Sequence, residues 1–306
     1  MTSCVRKSLA ETHRPFLTLL KEFSAANVSA SAGQCVLKAH SADARVSVLE
    51  IDNAKRRGSI SDSMMLQLAN IVDELESRSD PPTALIIASK GSVFCSGLDL
   101  NLAKNCINTP ERGGLMCAFM SDALDRIFNG PSVSVSVLGG PAIGGGSELV
   151  LCTDYRIMRS QMRNLPSTQQ TECSDLIQKN YIQSVHARIG ASPGWGGANR
   201  LTALIGRRNA LRMLGTSCAV HAEEALSMGL IDEVLPNSNS SSTAFEEDIS
   251  AGISFLQPWL QQRYPGSVRG IKRIVASPEN TRAAEEARVF ASRWFGPDNK
   301  AALGLR

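Results

Sequence analysis

Two glycine-rich segments carry most of the chemical information in this chain. The first is Gly139-Gly140-Pro141-Ala142-Ile143-Gly144-Gly145-Gly146-Ser147-Glu148. It follows an apolar stretch and opens what reads as a helix, so its backbone N–H groups face outward and favour an anion or a polarised oxygen. No Lys-Ser or Lys-Thr pair follows the glycines, which argues against a phosphate-cradling P-loop. Leu149 stands where a dinucleotide fingerprint needs its third small residue, so that reading fails too. What remains is a loop that brings bare backbone donors close to a ligand oxygen, with Glu148 just inside the helix. A tight turn is the plainer use of glycine, but three glycines directly before a helix favour the donor role. The second segment, Phe94-Cys95-Ser96-Gly97-Leu98-Asp99, has the same style and follows the apolar run ALIIA at 84–88. Two N–H donors converging on one oxygen make an oxyanion hole, where each is worth roughly 3–4 kcal/mol to a transition state that gathers negative charge.

The elements that must position these loops are legible as alternating strands and helices. Strands are expected at 44–51, 84–88, 132–138 (SVSVSVL, with period two) and 154–158. Helices are expected at 61–78, with Met65, Leu68, Ile71, Val72 and Leu75 on one face, and at 111–128. Such alternation implies an α/β core whose functional loops follow the strands. The polar segment 159–184 breaks the rhythm and reads as an inserted surface loop, with order resuming at Val185. Helices at 199–214 and 222–229 and a last segment at 230–235 complete a core expected to span 35–236. Ahead of it, 1–34 reads as a leader helix and a Ser/Ala/Gly linker. Behind it, the linker PNSNSSST leads to a helical region at 245–306, whose Trp259 and Trp294 are expected to dock on the core or on another subunit.

Composition narrows the classes. With 306 residues, 43% hydrophobic and 20% charged, the chain has the balance of a globular protein with a large core. A net charge of +3 and no run of five basic residues argue against nucleic acid. No apolar stretch approaches the length of a membrane span. The eight cysteines are scattered, without CxxC pairs or Cys/His clusters at zinc spacing. They read as reduced thiols of an intracellular protein, and no metal is expected. The N-terminus carries Arg6, Lys7 and Arg14, as a transit peptide would, but also Glu11 and Glu22, which such peptides avoid. The expected compartment is the cytoplasm, with the mitochondrion as the alternative.

FCSGLDL, GPAIGGGSEL and IGASPGWGG, in this order and spacing, resemble the crotonase (enoyl-CoA hydratase/isomerase) superfamily over about residues 44–235. The resemblance implies a crotonase-like ββα spiral core with a C-terminal helical region, assembled as a homotrimer or a dimer of trimers. It implies that the N–H groups of Leu98 and Gly145 bind the thioester oxygen of an acyl-CoA. Ser96, Gly97, Asp99, Gly144 and Gly146 then line the substrate beside them. No cofactor is expected beyond the coenzyme A of the substrate itself. Hydratases of this superfamily activate water with two glutamates. Glu148 matches the first, but His186, in SVHARIG, stands where the second belongs.

SGLDLN, ERGGLMCAFMSDALDRIF, the stretch from SVHARIG to RRNALRML, and WFGPDNKAALG resemble the ethylmalonyl-CoA decarboxylase branch in particular. That branch has a histidine at the position of His186 and a tryptophan at that of Trp195. The function it implies is decarboxylation of a short α-carboxylated acyl-CoA through a thioester enolate. Loss of CO2 needs no general base, and a second carboxylate would repel the substrate's own; a histidine would tolerate or hydrogen-bond to it. Hydratase or isomerase chemistry with Glu148 as sole acid/base, and non-catalytic acyl-CoA binding, stand as alternatives. Pro193 and Trp195 are expected to wall the acyl pocket. Lys55, Arg56 and Arg57 are expected beside the CoA phosphates, and Lys272, with Arg273, beside a neighbouring subunit's CoA.

Overall fold

The computed structural model describes residues 7–26, 33–160, 180–237 and 244–305. The first six residues, both linkers (27–32 and 238–243) and 161–179 of the expected insertion lie outside the described residues. The central sheet has the order β1-β2-β3-β4-β6-β9. Strand β1 (Gln34–Ala39) runs antiparallel to β2 (Val46–Asp52). From β2 onward β3 (Ala84–Ser89), β4 (Val133–Leu138), β6 (Tyr155–Arg159) and β9 (Glu233–Leu235) are parallel. A second sheet joins β5 (Ala142–Ile143), β7 (Tyr181–Gln183) and β8 (Ala219–His221). The helices are α1 (Leu9–Thr12), α2 (Arg14–Ala26), α3 (Asp62–Ser77), α4 (Leu100–Asn105), α5 (Pro110–Phe128), α6 (Gly145–Leu149), α7 (Gly197–Thr216) and α8 (Ala222–Ser227). A C-terminal series follows: α9 (Ala244–Leu260), α10 (Pro265–Ala276), α11 (Glu279–Arg293) and α12 (Pro297–Ala302). Among the described residues no helix is long and apolar enough to cross a membrane.

The parallel strands are covered on both faces, as crossover connections require. Val133, Val135 and Val137 of β4 join Ile86 and Ile157 under Ile249, Leu256 and Leu260 of α9. Gly252 lets that helix approach, since a Cβ there would lie 3.1 Å from both Ile86 and Val137. The alternate Ser134 and Ser136 are equally buried. Ser134 donates its N–H and O–H to Asp154 Oδ2 at 2.7 and 2.9 Å, and Thr153 Oγ1 donates to Ser136 at 3.0 Å. The period-two pattern of β4 therefore separates two interior neighbours rather than a core from solvent. On the opposite face α3 lays down Met65, Leu68 and Val72, capped by Ser61, whose hydroxyl accepts the Met64 N–H.

Three expectations are corrected. The leader helix is part of the main core: Leu9, Phe16 and Leu20 are buried in it, and Asp73 accepts the N–H groups of Leu9 and Ala10 at 2.5 and 3.2 Å. Strand β1 begins the sheet before the first expected strand, antiparallel at its edge. The expected insertion 159–184 is ordered at both ends, since Arg159 completes β6 and β7 pairs with β5 and β8. The two C-terminal tryptophans differ. Trp259 packs on Tyr155 and Phe255, whereas Trp294 is 53% exposed and stacks on Phe290 at 5.2 Å between ring centroids.

Candidate active site

Parallel neighbours β3 and β4 end on the same edge of the sheet, so the two glycine loops leave side by side. They are hydrogen-bonded to each other. Phe94 and Cys95 donate their N–H groups to Pro141 O at 2.9 and 3.3 Å, and Ile143 donates to Cys95 O at 2.8 Å. Glycine permits this closeness. A Cβ on Gly146 would overlap the Cys95 carbonyl oxygen, and one on Gly97, whose φ is +89°, would lie 2.8 Å from the Gly145 nitrogen. Around Leu98, Ile60 donates to Gly97 O at 2.8 Å and accepts from Asp99 N at 3.0 Å, so the pairing uses both flanking peptides and skips Leu98 N–H. Gly144 donates to Gln183 O at 2.9 Å and its carbonyl takes the Ser147 hydroxyl, which turns the chain into α6 with Gly145 first. Among the described residues neither Leu98 N–H nor Gly145 N–H donates to a protein acceptor. Helix α6 is only five residues long, so the peptide groups, not a long helix's field, are what it offers a ligand.

Glu148 lies on the same short helix, 2% exposed. Its Oε1 accepts the N–H groups of Trp195 and Gly197 at 2.8 and 2.9 Å, and its Oε2 that of Gly194 at 3.3 Å. Oε2 also meets His186 Nε2 at 3.1 Å. The other ring nitrogen, Nδ1, lies 2.8 Å from Ser184 Oγ. Gly197 must be glycine for this, because a Cβ would collide with the Glu148 side chain. Held in this way, the loop lays Trp195, itself buried, over Gly145, where a Cβ would come 2.6 Å from the indole ring. Pro193 is half-buried at the start of the same loop.

Comparisons with known proteins give the family. The family model described as enoyl-CoA hydratase/isomerase matches residues 41–250. The chain belongs to the enoyl-CoA hydratase/isomerase family. Among its relatives is a protein of Rattus norvegicus named ethylmalonyl-CoA decarboxylase, 34% identical over 85% of this chain and 80% of that protein. One of the same name in Gallus gallus is 33% identical over 94% of this chain and 86% of its own length. The crystal structure of an enoyl-CoA hydratase from Bacillus anthracis superposes with a TM-score of 0.69 at 20% identity, covering 88% of this chain and 94% of that one. At that identity the likeness concerns the crotonase fold.

In this family member the remaining expected site residues divide. Lys55 and Arg57 are exposed on the turn beside the Leu98 loop, and the Arg57 carbonyl accepts Ser96 N–H at 3.1 Å. Arg56, still part-exposed, pairs with the buried Asp99, with Nη1 to Oδ2 at 3.0 Å. Asp99 is further occupied as the N-cap of α4, accepting Asn101 and Leu102 N–H at 2.8 and 3.1 Å. Its carboxylate therefore builds the loop, which corrects its expected place against the substrate. Lys272 is corrected more sharply. Its ammonium is buried and donates to Ser132 O and, at 2.7 Å, to Asp154 Oδ2. Both partners precede parallel strands, so Lys272 lies at the end of the sheet away from the glycine loops. Arg273 is exposed and paired with Glu285.

Two residues that bear on the site had no signal in the sequence. Ser184 reaches His186. Arg200, at the start of α7, donates to Trp195 O and to Asp125, which ties the tryptophan loop to α5. Ser184 is one of many serines, and nothing in its type marks it as a partner of the nearby imidazole; Arg200 takes its meaning from the distant Asp125 and from a backbone carbonyl.

Proposed function

We propose that the chain decarboxylates a short α-carboxylated acyl-CoA, with ethylmalonyl-CoA the first substrate to test and methylmalonyl-CoA the second. The observation that carries this reading is the direct Glu148–His186 contact at 3.1 Å. Addition of water in this superfamily uses two carboxylates with the water between them. Here the one carboxylate is saturated by three N–H groups and an imidazole, and that imidazole occupies the second position. The two free N–H groups of Leu98 and Gly145 are what a decarboxylase needs instead. The thioester oxygen sits between them. The bond from Cα to the carboxylate breaks, CO2 leaves, and the electron pair moves through Cα onto that oxygen, after which Cα takes up a proton. Each donor contributes about 100- to 1000-fold in turnover. Glu148 does not repel the substrate carboxylate as a bare anion would, because donors surround it. Trp195 backs Gly145 and keeps water from the nascent enolate. Lys55 and Arg57 face solvent beside the Leu98 loop, where they would meet the CoA phosphates. The reaction requires no resident cofactor; coenzyme A arrives as part of the substrate. The names of the relatives support the substrate class. We assign the exposed Phe290, Trp294 and Phe295 to contacts between copies in a trimer or dimer of trimers.

The test is CO2 release from ethylmalonyl-CoA and methylmalonyl-CoA, run beside hydration of crotonyl-CoA. Release from either malonyl thioester without rapid hydration is expected. Hydration without CO2 release would move the reading to a hydratase using Glu148 alone. Gly145→Pro removes one donor and is expected to abolish turnover; binding without any turnover in the wild type would leave only an acyl-CoA carrier.

A further inference from the structure

Ser184 is a buried hydroxyl that the reaction above does not use. It is 1% exposed and directly follows β7. The place is set by pairing: Ala142 and Ile143 of β5 lie opposite Ile182 and Gln183, and Gln183 O accepts the Gly144 N–H. The residues after β7 therefore run directly beside the glycine loop. Val185 would be 3.4 Å from a Cβ on Gly144, and His186 follows with its ring between Ser184 and Glu148.

We propose that Ser184 is a positioning residue that fixes the tautomer of His186. Glu148 is met by N–H groups from Gly194, Trp195 and Gly197, so its oxygens act as acceptors. The nitrogen that faces it at 3.1 Å, Nε2, must then carry the ring proton. In the neutral imidazole Nδ1 is left bare, and the hydroxyl 2.8 Å away donates to it. The chain of hydrogen bonds runs one way, from Ser184 O–H to His186 Nδ1 and from His186 Nε2–H to Glu148. It ends on the carboxylate that holds the Trp195 loop over Gly145. The arrangement is the reverse of a nucleophile triad, in which the serine faces Nε2 and the carboxylate faces Nδ1. Ser184 is also too buried to reach a substrate carbonyl. Its work is done through His186.

The importance of this for turnover rests on the function proposed above, but the tautomer does not. The experiment is therefore in two parts on the full-length protein. With 15N-labelled histidine at pH 7.5, the ring signals of His186, assigned by their loss in His186→Gln, report which nitrogen carries the proton. Protonation at Nε2 alone is expected in the wild type. In Ser184→Ala a mixture with the Nδ1–H form, or that form alone, is expected. An imidazolium or an Nδ1–H ring in the wild type, or an unchanged spectrum in Ser184→Ala, would overturn the proposal. In the kinetic part Ser184→Ala is expected to lower kcat on the order of five- to tenfold, the scale of one neutral hydrogen bond, with KM within about twofold. An unchanged kcat would refute the positioning role even if the tautomer shifts. Absence of any decarboxylation in the wild type would sink the proposed function and leave the tautomer result standing.

Discussion

Glu148–His186 and Asp154–Lys272 are two acid–base pairs at opposite ends of the parallel strands, the first built on a buried carboxylate and the second on a buried ammonium. Both are held by several hydrogen bonds. Glu148 takes three backbone N–H groups besides the imidazole, and Asp154 takes the Ser134 N–H and O–H besides the ammonium. Burial holds the Lys272 pKa below that of a free lysine, against the opposing pull of Asp154. By burial and charge alone, Lys272 is the more conspicuous group. What separates the two ends is the backbone. Beside Lys272 the Ser132 carbonyl accepts the ammonium and the Asp154 N–H goes to Ser134 Oγ at 3.0 Å; beside Glu148 the N–H groups of Leu98 and Gly145 have no protein acceptor among the described residues. Buried charge serves architecture at both ends of this molecule. In the function proposed above, it is the two peptide donors of Leu98 and Gly145 that set the glycine-loop end apart.

The comparison is broken or sharpened by removing one member of each pair. Glu148→Ala should have the largest effect. It strands three N–H groups and the imidazole, and is expected to cost about 3–5 kcal/mol in urea unfolding and to reduce turnover below detection, because the loop that backs Gly145 is released. Lys272→Met should cost about 3 kcal/mol while kcat and KM stay within about twofold of wild type. If Lys272→Met lowered turnover as far as Glu148→Ala, the two ends would not be functionally distinct. The smallest effect concerns thiols. Burial pushes Cys95, in the Leu98 loop, and Cys152, ahead of β6, up to about 12, and Cys35 likewise. In the unfolded chain these groups ionise near their ordinary value of 9.0. Between those pH values the folded state holds more protons, so stability should fall as pH rises from about 9 towards 12. In pulsed alkylation at pH 8 the exposed Cys117 should label first among the cysteines of the described residues, with Cys95 and Cys152 equally protected. Earlier labelling of Cys95 would mean that the glycine-loop end opens on its own.

The glycine loops were legible because their chemistry lies in residue type: a missing side chain is visible in a sequence. Most of the parallel strands were legible through their apolar runs. Strand β7 was not, because three residues inside a polar stretch carry no periodicity. Lys272 was misplaced because a lysine on an amphipathic helix reads as solvated, and only the register of α10 against the sheet turns it inward. Asp99 did carry a signal that was outweighed. An aspartate directly before LNLAKN is a helix cap by ordinary preference, and proximity to Leu98 suggested substrate contact instead. His186 was legible as an anomaly, but its partners were not: Glu148 meets it only once β5 and β7 pair, and a serine two residues away carries no mark of the ring orientation that reaches it.

The contact between Gly146 and Cys95 has a consequence for how this protein tolerates mutation. The separation of the two strand ends is dictated at Gly146 and Gly97 by an atom that is not there, and at Gly197 the same absence makes room for the Glu148 side chain. Even alanine, the mildest replacement, would act as a wedge. A scan of every substitution along the chain should therefore find its least permissive positions at these hydrogens, ahead of most of the charged residues, and a genetic change that merely adds a methyl group there would be read as a null allele.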